Sequence, residues 1–325
     1  PDFPPQKLTR TSDTSWTIAP VEFTFNAPQE LFGSHFTEQT NPKGVPLADV
    51  CWSGNQFVAV GAADGTDAYL LNSPDGETWY ERSNPKNFNL NAVLWASSQF
   101  VAVGDPDGTD AYIITSPDGI TWTERANPKN VKLNSLAWSG TLLVGVGAGD
   151  GTDSYIVTSP DGVTWTERTP TVAKNIALNS VAWSGTKFVA VGVADGTDAY
   201  ILTSPDGLTW TELSNPKNYA LNGVCWQESQ FVAVGAADSV NAYILTSPDG
   251  ITWTEQDNPK NIGLNSVCWT ENQFVAVGDR DGVDAYILTS TDGVTWIERQ
   301  NPKQFVLNAV CWSGTLAVAV GEAYV

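Results

Sequence analysis

Leu133-Asn-Ser-Leu-Ala-Trp138 is followed by an apolar run from Thr141 to Gly147, then by Asp150-Gly-Thr-Asp153, Ser154-Tyr-Ile-Val-Thr158, Ser159-Pro-Asp-Gly162 and Val163-Thr-Trp-Thr-Glu167. The first segment alternates apolar and polar side chains and ends at a Ser-Gly turn, which reads as a strand with one face on a core. The run from Thr141 and the segment from Ser154 read as strands too. Asp-Gly-Thr-Asp and Ser-Pro-Asp-Gly are turn clusters, the proline presetting φ and the glycine free to take a positive φ. Val163 to Glu167 is then a fourth strand.

The phrase recurs along nearly the whole chain. Trp138 belongs to a series at Trp52, Trp95, Trp183, Trp226, Trp269 and Trp312, and Trp165 to a second series at Trp79, Trp122, Trp210, Trp253 and Trp296. A period of about 43 residues marks a repeat architecture. Seven copies of four short strands predict an all-β chain, a seven-bladed β-propeller of four-stranded antiparallel blades. Periodic tryptophans inside strands read as packing between blades rather than as ligand platforms.

The last copy supplies Leu307 to Trp312 and Leu316 to Gly321, then stops after Ala323-Tyr-Val325. His35-Phe-Thr-Glu38 precedes Trp52 by the spacing that separates Trp122 from Trp138, and Asn41-Pro-Lys43 falls where Asn127-Pro-Lys129 does. The expectation is that N-terminal strands complete the seventh blade and close the ring, removing exposed edges. Val21 to Phe25 reads as a further strand of that blade, and Thr14-Ser-Trp16 as a degenerate box. The domain division is an N-terminal extension at 1–33, rich in proline and aromatics and able to dock on a larger body, and a propeller at 34–325.

The box Ser116-Pro-Asp-Gly-Ile-Thr-Trp122, repeated from Ser73, Ser159, Ser204 and Ser247 and as Ser-Thr-Asp-Gly from Ser290, resembles the Asp-box of the sialidase-like, or bacterial neuraminidase repeat, propellers. Here glycine follows Asp immediately, which makes the box one residue shorter than the usual Ser-x-Asp-x-Gly-x-Thr-Trp. The resemblance implies that the Asp caps backbone N–H groups and that the Trp packs between blades. It implies no single function, because such propellers include glycosidases, lectin-like binders, receptor ectodomains and assembly factors.

Composition narrows the function classes. A net charge of −20 argues against nucleic-acid or anionic-membrane binding, both of which need a basic surface. No apolar run reaches the ~18 residues of a membrane-spanning helix, and Pro1-Asp-Phe-Pro4 is no signal peptide. Cys51, Cys225, Cys268 and Cys311 each precede a first-series tryptophan, so they read as buried hydrophobes on separate blades rather than as disulfide partners. Arg82, Arg125, Arg168 and Arg299 share one repeat position, so they cannot converge to clamp a carboxylate. With His35 as the single histidine, Ser-His-Asp, Cys-His and His-rich zinc chemistry are excluded. The reading is non-catalytic, with an Asp-box glycosidase as the weakest alternative.

Three rings of polar residues are candidates for ligand binding. One comes from the Asp-Gly-Thr-Asp loops, ending in Asp67, Asp110, Asp153, Asp198 and Asp284. A second is Lys86, Lys129, Lys217, Lys260 and Lys303 of the Asn-Pro-Lys turns. The third is Asn91, Asn134, Asn179, Asn222, Asn265 and Asn308, each at the start of an innermost strand and facing one mouth of the central channel. The structural reading of all three is turn chemistry, solubility and satisfied backbone. The functional reading is a shallow site per blade, with tyrosines such as Tyr112, Tyr155, Tyr200 and Tyr286 beside the polar groups, as sugars require, gaining avidity by repetition. Asp105, Asp107 and Asp110, like Asp279, Asp281 and Asp284, are spaced to offer oxygen ligands to a hard cation such as calcium. The expected function is a lectin-like or adhesin-like surface protein, extracellular or virion-associated, that binds a glycan or a partner surface. The runner-up is a scaffold that binds proteins, like the propellers resembling photosystem assembly factors.

Overall fold

The computed structural model describes residues 15–19, 37–282, 285–300 and 304–322. Blade three runs Leu133–Trp138, Leu143–Gly149, Ser154–Ser159 and Thr166–Arg168, each strand antiparallel to the one before. Five more four-stranded blades open at Leu47, Leu90, Leu178, Leu221 and Leu264. The first three strands follow the alternation and turn clusters of the sequence, but the fourth starts at Thr166 rather than at the expected Val163, because Asp161 Oδ1 holds the N–H groups of Val163 and Thr164 in the turn.

The expected seventh antiparallel blade is not formed. The propeller has six blades of four antiparallel strands, and the antiparallel part of the seventh sheet is two strands, Leu307–Trp312 and Leu316–Gly321. Ser15–Ala19 lies along the second of these in parallel, and Thr37–Glu38 is parallel to Ser15–Ala19. The physical reason is the missing turn. In the other blades an Asp-centred hairpin turn reverses the chain into the third strand, whereas Gly321-Glu-Ala323 carries no such turn. A segment arriving from elsewhere in the chain is not bound to the antiparallel direction. Val21 to Phe25, Thr14, His35 and Phe36 lie outside the described residues.

The seventh sheet nevertheless fills the gap between blades six and one. Leu316, Val318 and Val320 pack with Val50, Phe57 and Trp79, while Val310, Ala317 and Ala319 pack with Val275, Val277 and Ile287. The rest of the core has the same form, one apolar cluster between each pair of neighbours. Trp165 of blade three, 7% exposed, packs on Val101, Val103 and Ile113 of blade two. The four cysteines are free, as expected.

The box works as a reverse turn with internal caps. Asp161 Oδ1 accepts from the backbone N–H groups of Val163 and Thr164, both at 2.9 Å, and from the Ser159 hydroxyl at 3.1 Å. Gly162, at φ +74°, brings its N–H onto Ser159 Oγ at 2.8 Å and accepts from Trp165 Nε1 at 3.1 Å. The N–H groups of Thr164 and Val163 hold the Asp161 carboxyl below its ordinary value of 3.8, so its contribution is present above that value and fades as pH falls through the folded one. Asp161→Ala is expected to cost about 1 kcal/mol, as loss of a helix N-cap does. Urea unfolding at pH 7 and pH 3 checks it: the deficit should shrink at pH 3, and an equal deficit at both would assign the effect to packing.

Candidate functional site

The loop face is occupied by its own side chains. Lys129 Nζ reaches Asp150 Oδ2 at 2.6 Å and also pairs with Glu167, and both acids belong to the blade that follows the lysine. Lys86 bridges Asp107 and Glu124, Lys217 bridges Asp238 and Glu255, and Lys260 bridges Asp281 and Glu298. Lys43 does the same with Asp64 and Glu81. Each lysine therefore ties one blade to the next. The triads lower Asp107 and Asp150 to about 2, with the lysine as the largest cause in each. Lys174, beyond the two-residue insertion in Thr169-Pro-Thr-Val-Ala-Lys174, holds Asp195 at 2.6 Å and pairs with Glu212. The sequence reading passed over it because the Asn-Pro-Lys motif is gone there. Lys303 and Asp284 lie outside the described residues.

The second carboxylate of each loop serves the same joint. Asp67, Asp110 and Asp198 accept the backbone N–H of Asn84, Asn127 and Asn215 at 2.9, 3.0 and 2.9 Å. Asp153, buried beside the inserted loop, receives no side-chain hydrogen bond from the described residues, and burial, with Asp150's charge next, raises its pKa. The tyrosines are fully buried, so they offer no flat face to a sugar. The hydroxyls of Tyr112, Tyr155 and Tyr286 instead donate to loop asparagines, to Asn84 at 2.8 Å, Asn127 at 2.6 Å and Asn258 at 3.2 Å, while that of Tyr200, beside the inserted loop, has no hydrogen-bond partner among the described residues. Nor do the spaced carboxylates converge among the described residues. Asp105 accepts from Asn89 and Asn91, at 2.8 and 2.9 Å, with Lys132 at 3.4 Å; Asp279 accepts from Asn265 at 3.2 Å; Asp107 and Asp281 face lysines.

The six asparagines do line the central channel, in a cavity of about 130 Å³. Each Nδ2 donates to the leucine carbonyl that opens the next sheet: Asn91 to Leu133, Asn134 to Leu178, Asn179 to Leu221, Asn222 to Leu264 and Asn265 to Leu307, at 2.8–3.0 Å. Asn308 to Leu47, at 2.8 Å, closes the ring. Where a seventh asparagine would stand the chain has Ala48, and the next residue is Asp49, at the position of Ala92, Ser135, Ser180, Gly223, Ser266 and Ala309. The sequence carried that signal as a break in the repeat.

The other end of each innermost strand lies about 16 Å away, at ~3.3 Å per residue. There the two tryptophan series part company. The box tryptophans are buried, whereas Trp52, Trp95, Trp138, Trp183, Trp226, Trp269 and Trp312 are all partly exposed. Five of them pack against a phenylalanine one turn away with the rings tilted, Trp226 on Phe231 at 4.5 Å and Trp269 on Phe274 at 4.6 Å between ring centroids. A groove of about 300 Å³ lies between Trp226 and Trp269, bordered by Gln227, Glu228 and Glu271. Glu271 has φ +68°, where the corresponding turns of four other sheets place Gly54, Gly140, Gly185 and Gly314. A carboxylate is thus kept on the groove at a backbone angle that favours glycine. On the same face Ile120, Val163, Leu208, Ile251 and Val294 of the boxes are exposed.

The family model for the DUF6242 beta propeller domain matches residues 117–262. A comparison with curated proteins finds no match. Among solved structures, the chain is similar to YCF48 from Cyanidioschyzon merolae at 15% identity and a TM-score of 0.64, over 87% of this chain and 94% of that one. It is also similar to a chain of the Mitotic Checkpoint Complex, at 13% identity, a TM-score of 0.59 and coverage of 84% and 87%. The computationally designed Ika8 protein follows, at 18% identity, a TM-score of 0.56 and coverage of 82% and 78%. At such identities the likeness is one of fold, and membership of the Asp-box family does not follow from it. The chain is a β-propeller whose central residues match the DUF6242 beta propeller domain.

Proposed function

We propose that this propeller is a non-catalytic binding module that takes carbohydrate on the tryptophan-bearing face, with its best-formed seat between Trp226 and Trp269. The observation that carries this reading is the groove itself: two partly exposed indoles flank it, and an amide and two carboxylates border it. A sugar ring has an apolar face that stacks on indole and hydroxyls that need acceptors. Its volume, about 300 Å³, is at the lower end of small-ligand cavities, ~300–1,000 Å³. The loop face is the poorer candidate, since its lysines and carboxylates satisfy one another. Repetition of the tryptophan on each sheet gives weaker copies of the seat, so a branched or polymeric glycan gains avidity.

The positive φ of Glu271 supplies a test that separates binding from folding. Glu271→Gly is expected to raise stability by about 1 kcal/mol, the order of the left-handed penalty for a side chain, while weakening sugar binding several-fold. Trp269→Ala is expected to reduce binding at least tenfold. Tryptophan fluorescence titrated with oligosaccharides from a glycan array gives both results. Silence across the array, or unchanged binding in both variants, would remove the carbohydrate reading.

A protein partner is the second reading, favoured by the exposed ring of Ile120, Val163, Leu208, Ile251 and Val294 on that face. Substitution of Ile120 and Ile251 by serine would then abolish partner capture and leave sugar titrations unchanged.

A further inference from the structure

Asp49 is the one charged side chain that lines the central channel among the described residues. Its Oδ1 accepts the N–H of Val50 and its Oδ2 the N–H of Val93 in blade two, both at 2.8 Å. Ser135 and Ser180 accept the corresponding N–H groups, from Val181 and Val224, at 3.2 Å. A hydroxyl is therefore enough for the structural task. The carboxylate adds a charge, and each of its oxygens keeps a further lone pair.

The surroundings of that charge are rich in acceptors. The six ring asparagines spend an amide N–H on the neighbouring carbonyl, and their Oδ1 atoms receive no hydrogen bond from the described residues. Those oxygens are also not among the polar atoms sealed from solvent without a partner. A net charge of −20 adds a field that draws cations into the cavity. The space, about 130 Å³, is several times what a single water needs.

We propose that the central channel is a receptor for one small primary amine, its ammonium group held by Asp49 and by the asparagine amide oxygens. An ammonium offers three N–H donors to a ring of acceptors and matches the single carboxylate in charge. A divalent metal is poorly matched, since it draws on several carboxylates where this site has one. This site is independent of the tryptophan groove at the other end of the strands.

The geometry makes binding depend on pH. Desolvation, against the pull of the Val93 and Val50 N–H groups, raises the Asp49 carboxyl to about 7. The titratable groups packed near it are the thiols of Cys51 and Cys311, which burial keeps neutral; the channel lining is otherwise uncharged, with Asp105, Lys132 and Asp279 at its mouth. Amine affinity should therefore be full at pH 8 and fall about tenfold for each pH unit below the carboxyl's pKa.

Methylammonium chloride is the probe, followed by saturation-transfer NMR of its methyl group on the full chain at pH 8 and pH 6, with potassium and calcium chloride as comparators. Asp49→Asn keeps the shape without the charge, and Asp49→Ser installs the residue that blades three, four and six already carry. Saturable binding that weakens at least tenfold in both variants, and on acidification in the wild type only, is the expected result. Absence of saturable binding at pH 8, equal binding in Asp49→Ser, or displacement of bound methylammonium by calcium at concentrations well below those at which methylammonium itself saturates would each overturn the proposal.

Discussion

Gly147→Ala is expected to destabilise the propeller by about 4 kcal/mol, in the range that marks a specific steric fault. A Cβ at this position would stand 1.9 Å from the carbonyl oxygen of Lys132, 2.9 Å from its carbon and 3.0 Å from Leu133 Cα. All three are backbone atoms, so no rotamer change relieves the clash. The crowding comes from a bulge: Leu133 pairs with Gly147 while Ser135 pairs with Val146, and Ala148 N donates to the Lys132 carbonyl at 3.0 Å. The bulge turns the chain from the lysine loop into the innermost strand, so every sheet repeats the glycine. At Gly61, Gly104, Gly192, Gly235, Gly278 and Gly321 the added Cβ would meet the same carbonyl at 1.9–2.1 Å. Two neighbours serve as controls in denaturant unfolding. Gly140, at φ +93° with open space around it, should lose only about 1 kcal/mol on change to alanine. Gly145 should tolerate alanine or gain from it, since Ala59, Ala102, Ala190, Ala233, Ala276 and Ala319 occupy that position elsewhere. Equal losses at Gly145 and Gly147 would reduce the effect to generic strand crowding.

The elements that could be read in advance are those fixed by local chemistry. Alternation placed the strand from Leu133 to Trp138, and Ser159-Pro-Asp-Gly162 placed the reverse turn, because each signal lies within a few residues of the structure it specifies. The seventh sheet broke that rule. Its outer strands come from residues remote in the chain, and no turn sequence dictates whether they add in parallel or antiparallel fashion.

Side-chain roles were legible only where the repeat kept their partners at fixed offsets. Lys129, Asp150 and Glu167 recur as lysine, aspartate and glutamate with the same spacings in other repeats, a regularity that points to one structural joint per blade interface. Read ring by ring, the lysines and loop aspartates looked like open ligand groups. The tryptophans pack between blades as expected, yet the two series differ in exposure. Those of the box stand just before the fourth strand and lie under a neighbouring sheet, while those at the ends of the innermost strands emerge at the rim. Asp49 announces itself as the single charged residue at a position that is Ala, Ser or Gly in the other sheets, whereas Glu271 shares its departure from glycine with Ser97 and Glu228; a site that exists once on the ring is to be sought at departures of the first kind.

Lys129→Met is expected to cost about 2 kcal/mol at pH 7, between the limits for exposed and buried pairs. The ammonium is partly exposed, but the Asp150 side chain is 2% exposed and cannot turn to water. Removal of the lysine leaves Asp150, Asp153 and Glu167 with carboxylate oxygens within 4.8 Å of one another and no cation between them. The pH dependence should then reverse in sign. In the wild type Lys129, as the largest cause, lowers Asp150 from 3.8 to about 2, so this joint contributes fully above 3.8 and loses its contribution as pH falls toward 2. In the variant the crowded carboxylates bind protons more tightly when folded than when unfolded, so its deficit should shrink between pH 7 and pH 5. Millimolar calcium should also raise the variant's melting temperature, because three oxygen ligands stand where an ammonium stood, and leave the wild type unchanged. Thermal unfolding at both pH values, with and without calcium, checks each expectation. A deficit that is the same at pH 7 and pH 5 and indifferent to calcium would mean that the lysine's methylene stem, rather than its charge, holds the two blades together.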